Sequence, residues 1–238
     1  MAKAYVGTSG FAYHDWAPRF YPADTPRDGL LQAYSERLSA LELNNTFYHQ
    51  PSARAIARWV AATPPEFRFV VKAQRGGSMR ALGVAAAETV AWLIGPYRSF
   101  GERLGAVLFR VPENVRRDDA RLRLLLEAWP ADIQLVVEFQ DSSWQADEVF
   151  DLLTRHSATL GATDLDEHPV PDLRLTGSSI YLRLRRTAYT DSDLTAWADR
   201  LSVFLDSGTD CYAFLRHDAD GTSALRAEAL LRRLTSAG

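Results

Sequence analysis

The chain has 238 residues and a formal net charge of −3, from 27 Lys and Arg against 30 Asp and Glu. Apolar residues make up 47% and charged ones 24%, a globular balance that excludes wholesale disorder and gives no overall positive field to draw in nucleic acid. The single cysteine, Cys211, excludes an intramolecular disulfide and any thiolate-rich metal site. The opening residues MAKAYVGTSG hold no apolar run of membrane or signal-peptide length, so a cytoplasmic protein with no membrane partner is expected. No Pro/Gly/Ser-rich linker or composition shift divides the chain, and one domain over residues 1–238 is expected.

Short apolar runs alternate with segments of helical period. Strands are predicted at Tyr5–Ser9, Ala40–Asn44, Arg68–Ala73, Ala106–Val111, Gln134–Phe139, Thr159–Asp164, Ile180–Arg185 and Cys211–Arg216. Between them, apolar positions three and four apart predict helices at Leu30–Leu38, Ala53–Ala62, Val84–Phe100, Asp118–Trp129, Asp147–His156, Asp193–Leu205 and Ser223–Leu234. Asp118, Asp147 and Asp193 stand at helix starts, where a carboxylate suits capping and the positive end of the dipole. After the sixth strand, Pro169 and Pro171 interrupt a stretch without helical period, so a loop is expected to replace that helix. Eight repeats of about 30 residues, seven of them with a helix after the strand, favour a closed, parallel (β/α)8 barrel of the TIM type. An open doubly wound sheet is the rival, but its glycine fingerprint is missing.

No Walker A, G-x-S-x-G, H-E-x-x-H or EF-hand pattern occurs, and the five histidines show no H-x-x-x-H spacing. No metal ligands are therefore assigned, although a metal assembled from distant strands needs no local spacing, and the cofactor is unknown from the sequence. Gly7-Thr8-Ser9-Gly10 ends the first strand and could offer backbone donors to an anion, but on the motif alone a strand ending in a tight turn is the favoured reading.

Strand alternation carries the strongest signal. In Ile180-Tyr181-Leu182-Arg183-Leu184-Arg185, the apolar face belongs under the helices, which turns Arg183 and Arg185 into the barrel or its mouth. The same parity turns Glu42, Asn44, Lys72, Arg110 and Glu138 inward, while Asp164 and Arg216 close the sixth and eighth strands. Lys72 stands out because Lys3 is the only other lysine of the chain. Charges of both signs thus converge on the C-terminal ends of the strands, where barrel enzymes build their sites. A salt-bridge network, such as Glu42 with Lys72 and Glu138 with Arg183, accounts for the same pattern without a ligand. Trp16, Phe20, Tyr21, Trp144 and Tyr189 follow the strand ends as lid or core aromatics, and Tyr189 is also taken as a substrate contact.

The chain resembles the YecE-like family, TIM-barrel proteins grouped as domain of unknown function 72, from Val6 to about Ala229. The resemblance rests on Gly7-Thr8-Ser9-Gly10-Phe11-Ala12-Tyr13, Trp16, Phe20-Tyr21-Pro22 and Leu41-Glu42-Leu43-Asn44-Asn45-Thr46-Phe47-Tyr48 with Pro51. Trp59, Thr63-Pro64, Phe67–Lys72, Leu104–Pro112, Glu138-Phe139, Ser143-Trp144, Tyr181-Leu182-Arg183 and Tyr189 extend it. It implies an eight-stranded barrel and no particular reaction. This chain departs from the family pattern at Ser78-Met79, Arg110-Val111-Pro112-Glu113, Gln140-Asp141, Arg185-Arg186 and Leu215-Arg216-His217. Chemistry that depends on the family's histidines at those places is in doubt here, whereas Glu42, Asn44, Lys72, Glu138 and Arg183 match.

Three functions are expected to compete. The first is an enzyme using hydrolase-like acid/base chemistry on a small anionic substrate, phosphorylated or not, with Glu42, Lys72 and Glu138 catalytic. Asn44, Arg110, Asp164, Arg183, Arg185, Tyr189 and Arg216 would then hold the substrate. The second is a non-catalytic module binding nucleic acid or another phosphate-bearing partner, disfavoured by the net charge. The third is a family member that has lost its activity.

Overall fold

The structure, a computed structural model, describes residues 1–83 and 85–236. Runs buried on both faces form the strands, as in the wholly buried LVVEF of the fifth. These strands are β1 (Ala4–Thr8), β2 (Ala40–Leu43), β3 (Arg68–Lys72), β4 (Leu104–Val111), β5 (Leu135–Phe139), β6 (Thr159–Asp164), β7 (Ser179–Leu184) and β8 (Asp210–Leu215). The helices are α1 (Leu30–Ser35), α2 (Ala53–Ala61), α3 (Arg75–Ala81), α4 (Ala86–Ile94), α5 (Asp119–Ala128), α6 (Asp147–Arg155), α7 (Asp191–Asp206) and α8 (Thr222–Ser236). All paired strands are parallel, in the order β1-β8-β7-β6-β5-β4-β3-β2, so the expected (β/α)8 barrel is the fold.

The ring closes between β1 and β2 without a regular ladder. Ser39 N donates to Val6 O at 3.2 Å, and the Ser39 hydroxyl accepts from Val6 N at 2.9 Å. One step further on, the Tyr34 hydroxyl accepts from Thr8 N at 2.7 Å and donates to Ala40 O at 3.0 Å. Here a side chain stands in for the missing backbone partner. Gly7 permits the close approach, since a Cβ there would lie 1.9 Å from Ala40 O.

Two apolar layers follow from the alternation. Tyr5, Ala40, Val70, Ala106, Leu108, Val136, Tyr181, Tyr212 and Phe214 fill the barrel interior, and a larger set packs between strands and helices. Tyr5 stacks on Tyr212 at 4.7 Å, and Tyr181 packs against Phe214 at 5.5 Å. This aromatic plug leaves room above it for the charged side chains.

The helices differ from expectation in three places. The long helix expected over Val84–Phe100 divides into α4 and a 3-10 stretch, Pro96–Arg103, because Gly95-Pro96 breaks the hydrogen-bond ladder. Its expected start, Val84, lies outside the described residues. Helix α3, with two glycines in RGGSMRA, went unforeseen; the Gln74 side chain caps it by accepting from Gly77 N at 2.7 Å. Of the three aspartates, Asp118 caps α5, whereas Asp193 is the third-residue partner of the Thr190 capping box and Asp147 makes no capping bond. No helix stands between β6 and β7, as expected, and residues 165–178 form a loop. No described helix is long and apolar enough to cross a membrane.

Candidate functional site

Directly above the aromatic plug, Arg183 on β7 spans the barrel. Its Nε and Nη2 donate to Glu42 on β2 at 2.9 and 2.7 Å, and its Nη1 donates to Glu138 on β5 at 2.8 and 2.9 Å. Tyr181 adds a hydroxyl to Glu42 at 2.9 Å, and Thr163 adds one to Glu138 at 2.5 Å. Burial pushes both carboxyl groups up, but the guanidinium and these hydrogen bonds reverse the effect. Glu42 ends below the usual carboxylate range and Glu138 falls to about 2. The Arg183 guanidinium is pushed above its ordinary value by the two carboxylates despite its burial. Arg110 Nε makes a further ion pair with Glu138 at 3.0 Å without a hydrogen bond.

A cavity of about 980 Å³ opens above this layer on the β5–β8 side. Arg183 and Glu138 are at its base, and Thr163, Arg185, Arg216 and His217 stand around it. The loop over residues 165–178 adds His168 and Arg174 to its wall. Arg174 approaches Asp147 at 3.7 Å. Arg185 and Arg216 have no carboxylate partner among the described residues. Arg185 Nη1 instead donates to Ser9 Oγ at 2.7 Å, which also accepts from His217 N at 3.3 Å. Burial and the neighbouring Arg183 charge hold the Arg185 pKa below its ordinary value. The His217 ring stacks on Tyr13 at 4.9 Å, and burial together with Arg185 holds its pKa down as well.

Lys72, at the end of β3, stands apart from the ion pairs. Its side chain is nearly buried, and Nζ lies 4.2 Å from the centroid of the Phe47 ring. Thr46 fixes that ring's segment against β3 by donating to Leu43 O and Lys72 O at 2.7 and 2.8 Å. Burial first, and repulsion from Arg183 second, bring the amine down to about 8.

The geometry therefore joins Glu42, Glu138 and Arg183 in one buried network with Arg110 at its edge, faces Arg185 and Arg216 into the cavity, and leaves Lys72 without an ion pair among the described residues. The Glu42–Lys72 pair considered from the sequence does not form, because Arg183 takes both carboxylates. Asn44 donates to Ser9 O at 3.2 Å and keeps a buried, unpartnered Oδ1. Asp164 is not at the mouth. It points outward beneath α7 and accepts from Arg186, from the Tyr189 hydroxyl at 3.0 Å and from Trp197 Nε1 at 3.2 Å. Tyr189 accompanies it there. The other aromatics, Trp16, Phe20, Tyr21 and Trp144, are buried core. Sequence reasoning missed Thr163, His217, Arg174 and the joining role of Ser9. For Thr163 a signal existed, since Leu160 and Ala162 are the apolar face of β6.

Comparison with known proteins agrees with the architecture. The family model described as "Protein of unknown function DUF72" matches residues 5–238. A DUF72 family protein from Thermotoga maritima, of known crystal structure, superimposes with a TM-score of 0.82 at 26% identity, over 98% of this chain and 99% of that one. One from Enterococcus faecalis gives 0.76 at 16% identity over 98% and 96%, a likeness of fold. The UPF0759 protein YunF of Bacillus subtilis is 28% identical over 148 residues, which span 59% of this chain and about half, 51%, of YunF. With the family model covering nearly the whole chain and a DUF72 barrel matching it end to end, the chain belongs to the DUF72 family.

Proposed function

We propose that this protein is an enzyme acting on a small anionic substrate held at the C-terminal mouth of the barrel. The observation that supports the reading is the pair of guanidiniums, Arg185 and Arg216, which face the cavity from the ends of β7 and β8 without an ion pair among the described residues. Arg185 is half-buried next to Arg183, where an unpaired cation is costly unless an anion joins it, while Arg216 is exposed at the rim; guanidinium binds phosphate or carboxylate through two parallel hydrogen bonds. The ends of strands seven and eight are also the usual phosphate position of such barrels.

Within this reading the two glutamates hold the frame instead of donating protons, because Arg183 keeps both ionised through the neutral range. Lys72, with its amine brought down to about 8, is an inward group able to exchange a proton near neutrality.

Thermal unfolding in the presence of inorganic phosphate, sugar phosphates and dicarboxylates tests the proposal. A ligand at a hundred times its Kd adds about 2.7 kcal/mol, a rise of about 5 °C or more in Tm for a chain of this size. The rise is expected for at least one small anion and is expected to vanish in Arg185→Met/Arg216→Met. Absence of any rise across the panel, or a rise that survives in the double variant, overturns the reading.

A further inference from the structure

The carboxylates that could neutralise Lys72 are already occupied. Glu42 and Glu138 are its nearest opposite charges, and both are hydrogen-bonded to Arg183. Among the described residues Nζ has no ion pair and no hydrogen bond, only the face of Phe47. A lysine kept as a structural cation normally takes a carboxylate or solvent, and this one has neither in full. The ring it lies over borders open space. Phe47 and Arg110, together with Ser78 and Met79, line a recess of about 110 Å³, room for a few heavy atoms. Arg110 is in turn a wall of the large cavity, so the recess and the anion site share a side chain.

We propose that Lys72 forms an imine with a small carbonyl compound, which makes the substrate of this mouth an anionic aldehyde, ketone or keto acid. The anionic half of that statement rests on the function proposed above, and the imine half does not. In the step itself, the Nζ lone pair attacks the carbonyl carbon and makes the C–N bond, while the π electrons move to oxygen. The carbinolamine then expels that oxygen, which leaves as one water with the two amine protons, and the remaining nitrogen lone pair closes the C=N bond. No oxidant or reductant is consumed.

The environment suits the step. With its amine brought down to about 8 by burial and by Arg183, Lys72 is neutral in about a tenth of molecules at pH 7. An ordinary lysine is neutral in fewer than about one in a thousand.

The chain supplies its own control, because Lys3 is exposed and is its only other lysine. In a first arm, limiting formaldehyde with cyanoborohydride at pH 7 is followed by peptide mass mapping. Lys72 is expected to be methylated several-fold faster than Lys3, with the α-amino group read separately. Faster labelling of Lys3, or protection of Lys72, overturns the imine. In a second arm, dihydroxyacetone phosphate is compared with dihydroxyacetone under the same reductant. The phosphorylated compound is expected to trap on Lys72 at least about tenfold more efficiently, with inorganic phosphate competing. Equal trapping retains the imine and overturns the anion site. A phosphate-induced rise in Tm without labelling of Lys72 does the reverse. Lys72→Arg is expected to keep both its fold, judged by Tm, and the phosphate response while losing the adduct. An adduct of the same mass and rate in that variant also overturns the assignment.

Discussion

Replacing Arg183 by methionine would leave two carboxylates, Glu42 and Glu138, buried without their cation. Removing one partner of a buried ion pair costs about 3–5 kcal/mol, more than the side chain's own burial returns. Arg183→Met is therefore expected to lose about that much in urea unfolding, with the deficit reduced when Glu42→Gln is added. The same network sets the acid limb of stability. Glu138 is depressed to about 2, so the unfolded state binds the proton first as pH falls below about 4.5. Its contribution is complete above that pH and is lost toward pH 2; Glu138→Gln is expected to flatten this limb in acid titrations followed by circular dichroism. Lys72 gives a slope of the same sign on the alkaline side, but as a cost carried at neutral pH. Its folded pKa of about 8 lies below the ordinary 10.5, so the unfolded state holds more protons between those values and stability rises with pH there. Lys72→Met is expected to abolish that rise and to be the more stable protein at pH 7. Alternation read from the sequence turned all these side chains inward correctly, because a strand side chain has only two directions. It could not show that one arginine would engage both glutamates, since that depends on three strands meeting at one height. Its place at the end of β6 suggests that Asp164 joins the mouth, but alternation with Leu160 and Ala162 directs it outward, where Arg186, Tyr189 and Trp197 hold it.

Tyr34, a helix residue, completes the barrel between two strands, and this is where an element depends on a single hydroxyl. Tyr34→Phe strands Thr8 N and Ala40 O in a buried seam, and each unsatisfied group costs about 1–3 kcal/mol. A loss of at least about 2 kcal/mol is expected in urea unfolding, together with faster hydrogen exchange at Thr8. If Tyr34→Phe unfolds like the parent, the seam is held by backbone and packing alone. All eight strands were legible because burial on both faces leaves unbroken apolar runs, of which β5 is the plainest. The helices were less so. Gln74 capping a seven-residue helix with two glycines leaves almost no periodic signal, and the apolar residues on both sides of Gly95-Pro96 mimic one continuous helix. The loop over residues 165–178 was legible for the opposite reason, since its prolines deny a helix outright.

Across the whole molecule, charge is distributed unevenly: the chain is net negative, yet Arg185 and Arg216 face the cavity and Lys72 lies buried at the end of β3. A polyanion has to lie along the outer surface, whereas a small anion can enter the cavity and meet only the cations. The two cases separate by salt. Neutralising two phosphates of a single strand gives a slope of about −1.4 in log affinity against log salt, or about a sevenfold loss from 50 to 200 mM. A small dianion enclosed by Arg185 and the Arg183 network is screened less than an exposed one. Its Kd, measured by calorimetry over the same range, is expected to change by less than that factor. A labelled single-stranded oligonucleotide, followed by anisotropy, is expected to bind more weakly than the small anion at 200 mM. Acidification adds a further distinction. His217 is held below its ordinary pKa, so it gains charge only as pH falls through that lowered value, and small-anion affinity is expected to rise there. His217→Gln is expected to remove that rise without changing affinity at pH 8. An oligonucleotide that binds more tightly than every small anion, with a steep salt slope, would instead make the mouth part of a nucleic-acid surface.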